Sequence, residues 1–187
     1  MSAAAAGERL PASQASAVRA FERGTGRGKR RVVRTARGMG SMVVTVIDDV
    51  RSALLGAWGL VSWTEVGLDG TVAYPFGPDP EGQLIYDASG RVSAQLTRPQ
   101  QDSFASDDRR QASAAEMGAA WSSYFGYFGT FRIDAENRAV VHEIQGSWFP
   151  NLDGTDQVRR YRLDGNRLHL KADTPTGQDE IVWEKLA

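Results

Sequence analysis

His142 is the residue in this chain best placed to do chemistry. It lies in the run AVVHEIQ, where Val140 and Ile144 share its face and Glu143 and Gln145 take the other, the period-two alternation of a half-buried strand. A neutral imidazole on that apolar face can accept a ligand proton or hold a carbonyl, because burial and neighbours tune its pKa around neutrality. The same position suits a structural histidine that bonds a neighbouring strand residue or an enclosed water. His169 alternates with Arg167 and Lys171 and reads as exposed.

Tyrosines, tryptophans and arginines form a second set. Tyr86 shares a face with Leu84, while Tyr124 and Tyr127 flank a helix end, where phenol groups can line a cavity mouth. Tyr124 is the natural acid–base partner for His142 if the protein is an enzyme. Gln95 sits on the face opposite Leu96, and Arg98 and Arg159 offer planar cations to an anionic ligand or to surface acids. Trp121 lies on the apolar side of the predicted helix. In GSWFPN, Trp148 and Phe149 fall on a rim loop just after the His142 strand, where they can gate entry or cover a barrel end. Trp58, in LLGAWGLVSW, follows a glycine that lets the chain turn tightly out of a helix, and its ring is suited to plug a small barrel.

Several chemistries drop out. With no cysteine, disulfides, thiol nucleophiles and cysteine-held metals are excluded, and the composition fits the cytoplasm. No dinucleotide fingerprint, phosphate loop, paired-histidine zinc motif or nucleophile elbow is present. Two histidines cannot build a three-histidine metal site. No cofactor is expected, although one histidine is enough to hold a haem. No apolar run approaches the ~18 to 20 residues of a membrane span.

The elements that must position these residues are mostly short strands. Val46, Ile47, Val50, Leu54 and Leu55 recur at helical spacing, predicting a short amphipathic helix that ends at Gly56. Strands follow at 57–66 and through Val72 and Tyr74, then a proline-rich loop, Tyr74 to Gly82. A hairpin comes next, with strands 83–86 and 91–97 about the turn Asp87-Ala88-Ser89-Gly90. A polar stretch from Arg98 to about Ala115 reads as a long loop or lid. Ser113 and Glu116 form a capping-box pattern, so a helix should start there, carry Met117, Ala120, Trp121 and Tyr124 on its apolar side, and end near Gly126. Further strands are predicted at 127–133, 139–145, 157–163, 167–172 and 180–185. Eight or nine strands in meander order favour an all-β, closed antiparallel up-and-down barrel over a Greek-key sandwich. A last strand that pairs back to the first would remove the open edges.

The folded body is expected to span 43–187. Ahead of it, residues 1–42 hold Arg9, Arg19, Arg23, Arg27, Lys29, Arg30, Arg31, Arg34 and Arg37 against Glu8 and Glu22, so the body is acidic although the chain as a whole carries −1. A basic, Ala/Gly-rich leader with few large apolar residues is expected to be disordered. It lacks the apolar core of a secretory signal. GRGKRRVVR can touch nucleic acid or an anionic surface, or translation can begin at Met39 or Met42; the acidic body argues against nucleic-acid binding by the domain itself.

The ordered segments GAWGLVSW, DGTVAYPFGPDPEGQLIYDASGRVSAQL, FASDD, YFGYFGTFRID, VHEIQGSWFPNLDGTDQVRRYRLDGNRLHL and IVWEKL resemble the bacterial and fungal lipocalin-like domain family, from about Leu54 to Leu186. The resemblance implies a small lipocalin-like β-barrel with an internal cavity, in a group of which some members bind or cyclise hydrophobic intermediates of natural-product pathways. Two functions from different classes follow. One is a protein that binds a small hydrophobic or aromatic molecule in the barrel. The other is a cofactor-independent cyclase, isomerase or dehydratase, with His142 and a tyrosine doing acid–base work in a dry cavity.

Overall fold

The computed structural model describes residues 39–187. The expectation for the basic leader therefore lies almost wholly outside the described residues. Helix α1 (Met39–Leu54) comes first, then strands β1 (Gly56–Gly67), β2 (Val72–Ala73), β3 (Glu81–Tyr86) and β4 (Arg91–Thr97). Helix α2 (Ala114–Ser122) is inserted before β5 (Tyr124–Asp134), β6 (Ala139–Ser147), β7 (Asp156–Asp164), β8 (Arg167–Thr174) and β9 (Gly177–Lys185).

All strand pairings are antiparallel between sequence neighbours, except that β1 pairs with β3 through Gly56–Gly59 and with β9 along almost its whole length. That last ladder closes the barrel. The short β2 folds back on the far end of β1, at Glu65 and Val66, where β3 has already left. Among the described residues, closure leaves no long edge to pair with another chain.

One end of the barrel is plugged. Gly56, at φ +117°, turns the chain from α1 into β1, and Trp58 is 2% exposed with its indole Nε1 donating to Leu54 O at 2.8 Å. From the other end of the chain, Lys185 Nζ lies 4.4 Å from the centre of the Trp58 ring and donates to Ala53 O and Leu55 O, carbonyls that the helix end leaves open. Arg51 holds α1 down on the same end, over the Phe131 ring at 4.9 Å and bonded to Ala88 O at 3.1 Å. The tight turns at 87–90, 135–138 and 165–166 lie here too, so the long connections gather at the opposite, open end.

Four boundaries differ from expectation by three residues or more. Helix α1 begins at Met39, ahead of Val46, where the predicted helical spacing starts. Helix α2 has the predicted capping box, Ser113 Oγ accepting from Glu116 N and the Glu116 carboxylate from Ser113 N. It nevertheless stops at Ser122, and Tyr124 opens β5 opposite Thr97. The sheet captures these residues because their backbone groups find partners in β4, which outweighs the continued helical spacing of the side chains. Met117, placed on the apolar side by that spacing, is 52% exposed. Finally, β9 starts at Gly177, three residues before the predicted Glu180.

Candidate ligand cavity

Period-two alternation and closure decide which side chains point inward. On β9 these are Asp179, Ile181 and Trp183, whose partners across the ladder on β1 are Glu65, Trp63 and Leu60. The register shift between Leu60 and Ser62 inserts one residue, and this keeps Trp63 and Glu65 on the inner face. The resulting cavity is lined by Trp63, Phe76, Phe125, Tyr127, Leu170 and Trp183, with Trp148 and Phe149 beside them and Arg159 and Asp179 as the charged members. About 40 Å³ is enclosed, and the space grows to about 750 Å³ when the mouth open to solvent is counted. The first figure lies far below the ~300 to 1,000 Å³ of small-molecule sites.

The wall is built of interlocked rings. Trp63 meets Phe76 edge-on at 5.0 Å between ring centres, Phe125 meets Tyr127 at 5.8 Å and Trp148 at 5.6 Å. Trp121, on α2, backs Trp148 at 4.2 Å, and Trp148 Nε1 donates to Trp121 O at 3.0 Å. The inserted helix thus supports the mouth through Trp148 and does not itself line the cavity.

His142 stands behind this wall, fully buried. Tyr86 Oη lies 2.7 Å from its Nε2 and Tyr127 Oη 2.7 Å from its Nδ1. Burial, followed by the nearby Arg159 charge, lowers the imidazole pKa to about 3, so the ring is neutral and has one N–H. Burial likewise raises the pKa of both phenols, with Arg159 opposing it. Tyr86 does not line the cavity, and His142 is its hydrogen-bond partner. Its proton is therefore best used on Nε2, since an enclosed unpaired O–H costs ~1 to 3 kcal/mol. Nδ1–H then donates to Tyr127 Oη, and the leftover proton is that of Tyr127, on the cavity wall.

The other predicted residues divide. Tyr127, Trp148, Phe149, Arg159 and Tyr124 line the cavity. Tyr124 and His142, paired in the enzyme reading, are not brought together; the partners of His142 are Tyr86 and Tyr127. Trp58 belongs to the plugged end: it does not line the cavity, and its ring is held by Leu54 O and Lys185. Gln95 is exposed on the outer face, since its neighbours Ala94 and Leu96 take the inner one. Arg98 follows the end of β4 and spends its guanidinium on Pro75 O at 3.1 Å, tying two loops together. His169 is outside the barrel as expected, but it is half-buried between Arg162 and Glu180, at 2.9 Å from each. Both His142 nitrogens are taken, so the imidazole has no free lone pair for a haem iron. Among the described residues no cluster of His, Asp or Glu could hold a metal ion.

Asp179 and Glu65 were not anticipated. They face each other across β1 and β9 near the open end. Burial, opposed by Arg159, raises Asp179 to about 6; burial and then the Asp179 charge raise Glu65 to about 7. The alternation Asp179, Ile181, Trp183 was the signal for an inward acid, and it was hidden by starting the last strand at Glu180.

A lipocalin-like domain model matches residues 55–185, nearly all of the barrel. The chain belongs to that lipocalin-like family. A 4'-hydroxy-3'-methoxypropiophenone carrier protein of Aspergillus oryzae is 30% identical over 107 residues, which cover 51% of this chain and 96% of the fungal protein. Among solved structures, a redesigned β-barrel overlaps 73% of this chain and 95% of its own at a TM-score of 0.39 and 12% identity, too loose a likeness to argue from. No helix among the described residues of this lipocalin-like chain is long and apolar enough to cross a membrane.

Proposed function

We propose that this barrel is a carrier that takes a small aromatic molecule into its cavity without transforming it. The observation that carries the reading is a cavity walled by aromatic rings, plugged at one end by Trp58 and α1 and open at the other beside Trp148 and Phe149. Flat rings in such a wall bind flat ligands by offset and edge contacts, each worth ~0.5 to 1.5 kcal/mol beyond the area buried. The printed name of the fungal relative, a carrier of an aryl ketone, is in keeping with this. At about 40 Å³ the cavity is smaller than the ~150 Å³ that admits a benzene ring, so a ligand enters by displacing lining side chains such as Tyr124, Phe125 and Phe149. The cysteine-free composition suits a reducing compartment such as the cytoplasm.

The cyclase or isomerase alternative puts His142 to acid–base work on the substrate. His142 does not line the cavity, both its nitrogens are engaged, and its pKa of about 3 makes it a poor base. The test is native mass spectrometry of freshly purified protein, followed by calorimetry with aryl ketones. A co-purified aromatic molecule that leaves the barrel unchanged supports the carrier. Release of a converted product, lost in His142→Gln, would replace it with the enzyme.

A further inference from the structure

We propose that the cavity selects aromatic ligands bearing a neutral acceptor oxygen, such as a ketone or ether, taken by the N–H groups of Trp63 and Trp183 and the O–H of Tyr127. This rests on the carrier reading and adds the chemical class of the cargo.

Trp63 and Trp183 both line the cavity, at 8% and 1% exposure. The indole nitrogen of each is shut off from solvent and has no hydrogen-bond partner among the described residues. Trp58 and Trp148 are different: each gives its N–H to a backbone carbonyl, Leu54 O and Trp121 O. Both orphaned indoles therefore belong to the cavity wall. Buried donors are ordinarily satisfied, and an exception calls for a reason.

The third donor comes from the histidine relay. With Tyr86 donating to Nε2 and Nδ1–H donating to Tyr127 Oη, the Tyr127 proton is left for whatever enters the cavity. Three side chains with a donor to spare thus line one cavity, beside the Arg159 guanidinium. A hydrocarbon would leave them all unpaired, whereas an acceptor oxygen recovers at least one bond in a low-dielectric setting where the bond is strong. A site with unpaired donors discriminates sharply against ligands that lack the acceptor.

Propiophenone and propylbenzene share a ring and a three-carbon chain and differ by the carbonyl. A ketone must leave water to enter an apolar site, so a cavity without donors favours the hydrocarbon. Calorimetry on the full chain is expected to show propiophenone bound at least as tightly as propylbenzene. Trp63→Phe or Trp183→Phe should then cut the ketone-to-hydrocarbon preference about tenfold, the size of one hydrogen bond, with propylbenzene affinity little changed. A marked preference for propylbenzene, or a ratio unmoved in both variants, overturns the proposal while leaving the carrier standing. If the variants fail to fold, the infrared carbonyl band of propiophenone bound to the wild-type protein decides: a shift below its position in hexane supports the donors, and a hexane-like band overturns them. Failure of both probes to bind overturns the carrier reading and this one with it.

Discussion

Tyr86 Oη lies 2.7 Å from His142 Nε2, and both side chains are at or below 1% exposure. The two residues are 56 positions apart in the chain, so this bond joins β3 to β6 through the barrel interior. Tyr127 completes the relay from β5. His142→Leu removes the shared partner and leaves two enclosed phenols unpaired. The expected loss is about 2 to 4 kcal/mol, read as a lower urea midpoint with little change in slope. Adding Tyr86→Phe to His142→Leu should return part of it; a double variant no more stable than the single would contradict the relay.

Acid affects the interior in two opposite ways. The folded pKa of His142, about 3, lies below its ordinary 6.5. Between those values the unfolded chain binds a proton that the folded chain refuses, so stability falls as pH drops, by at most about 1.4 kcal/mol per unit. Asp179, raised from 3.8 to about 6, works the other way. The folded chain keeps a proton that the unfolded chain releases, so stability rises as pH falls through that window, and Glu65 adds to this from about 7. With two acids against one histidine, these interior groups together should make stability rise gently as pH falls from about 6 to about 4.5. Asp179→Asn should be more stable than wild type in mild alkali and should lose that lead on acidification. Parallel urea-midpoint profiles for the two proteins would count against this assignment.

Lys185 clasps the end of helix α1 to the last strand. Its ammonium meets Ala53 O at 3.1 Å, Leu55 O, and the face of Trp58. Burial lowers its pKa, but its partners are carbonyls and a ring that favour the cation. Lys185→Met should cost about 1 to 2 kcal/mol and speed amide exchange in α1 more than in the barrel. Uniform exchange rates with an unchanged melting temperature would show the clasp to be dispensable.

Two glycines give opposite expectations. At Gly129, beside the β5 register shift, an added Cβ would fall 2.0 Å from Glu143 O, a backbone atom that cannot step aside. Gly129→Ala should destabilise by about 3 kcal/mol. At Gly118, inside α2, the Cβ would meet nothing within 4 Å. Gly118→Ala should stabilise by about 0.5 to 1 kcal/mol. Thermal melts of the two variants beside wild type check both, and a loss in the second would mean that α2 needs its glycine for another contact.

What the sequence by itself determined is local. The meander of strands, their turns, the capping box of Ser113 and Glu116, and the Gly56–Trp58 turn into a plug follow from periodicity and from backbone groups satisfied within a few residues. The family resemblance lies in the same segments. The site depended on relations that no local pattern contains. Alternation placed His142 on an apolar face, but only closure showed that its partners are Tyr86 and Tyr127 and that it stands behind the cavity wall. One inserted residue in β1, between Leu60 and Ser62, decides whether Trp63 and Glu65 point in or out. A slip of one residue reverses every side chain beyond it, and the cost of such a slip is set by the opposing strand β9, at the far end of the chain. Which inward residues face a ligand and which fill the plug is likewise a matter of depth along the barrel, as the equally buried Trp58 and Trp183 show.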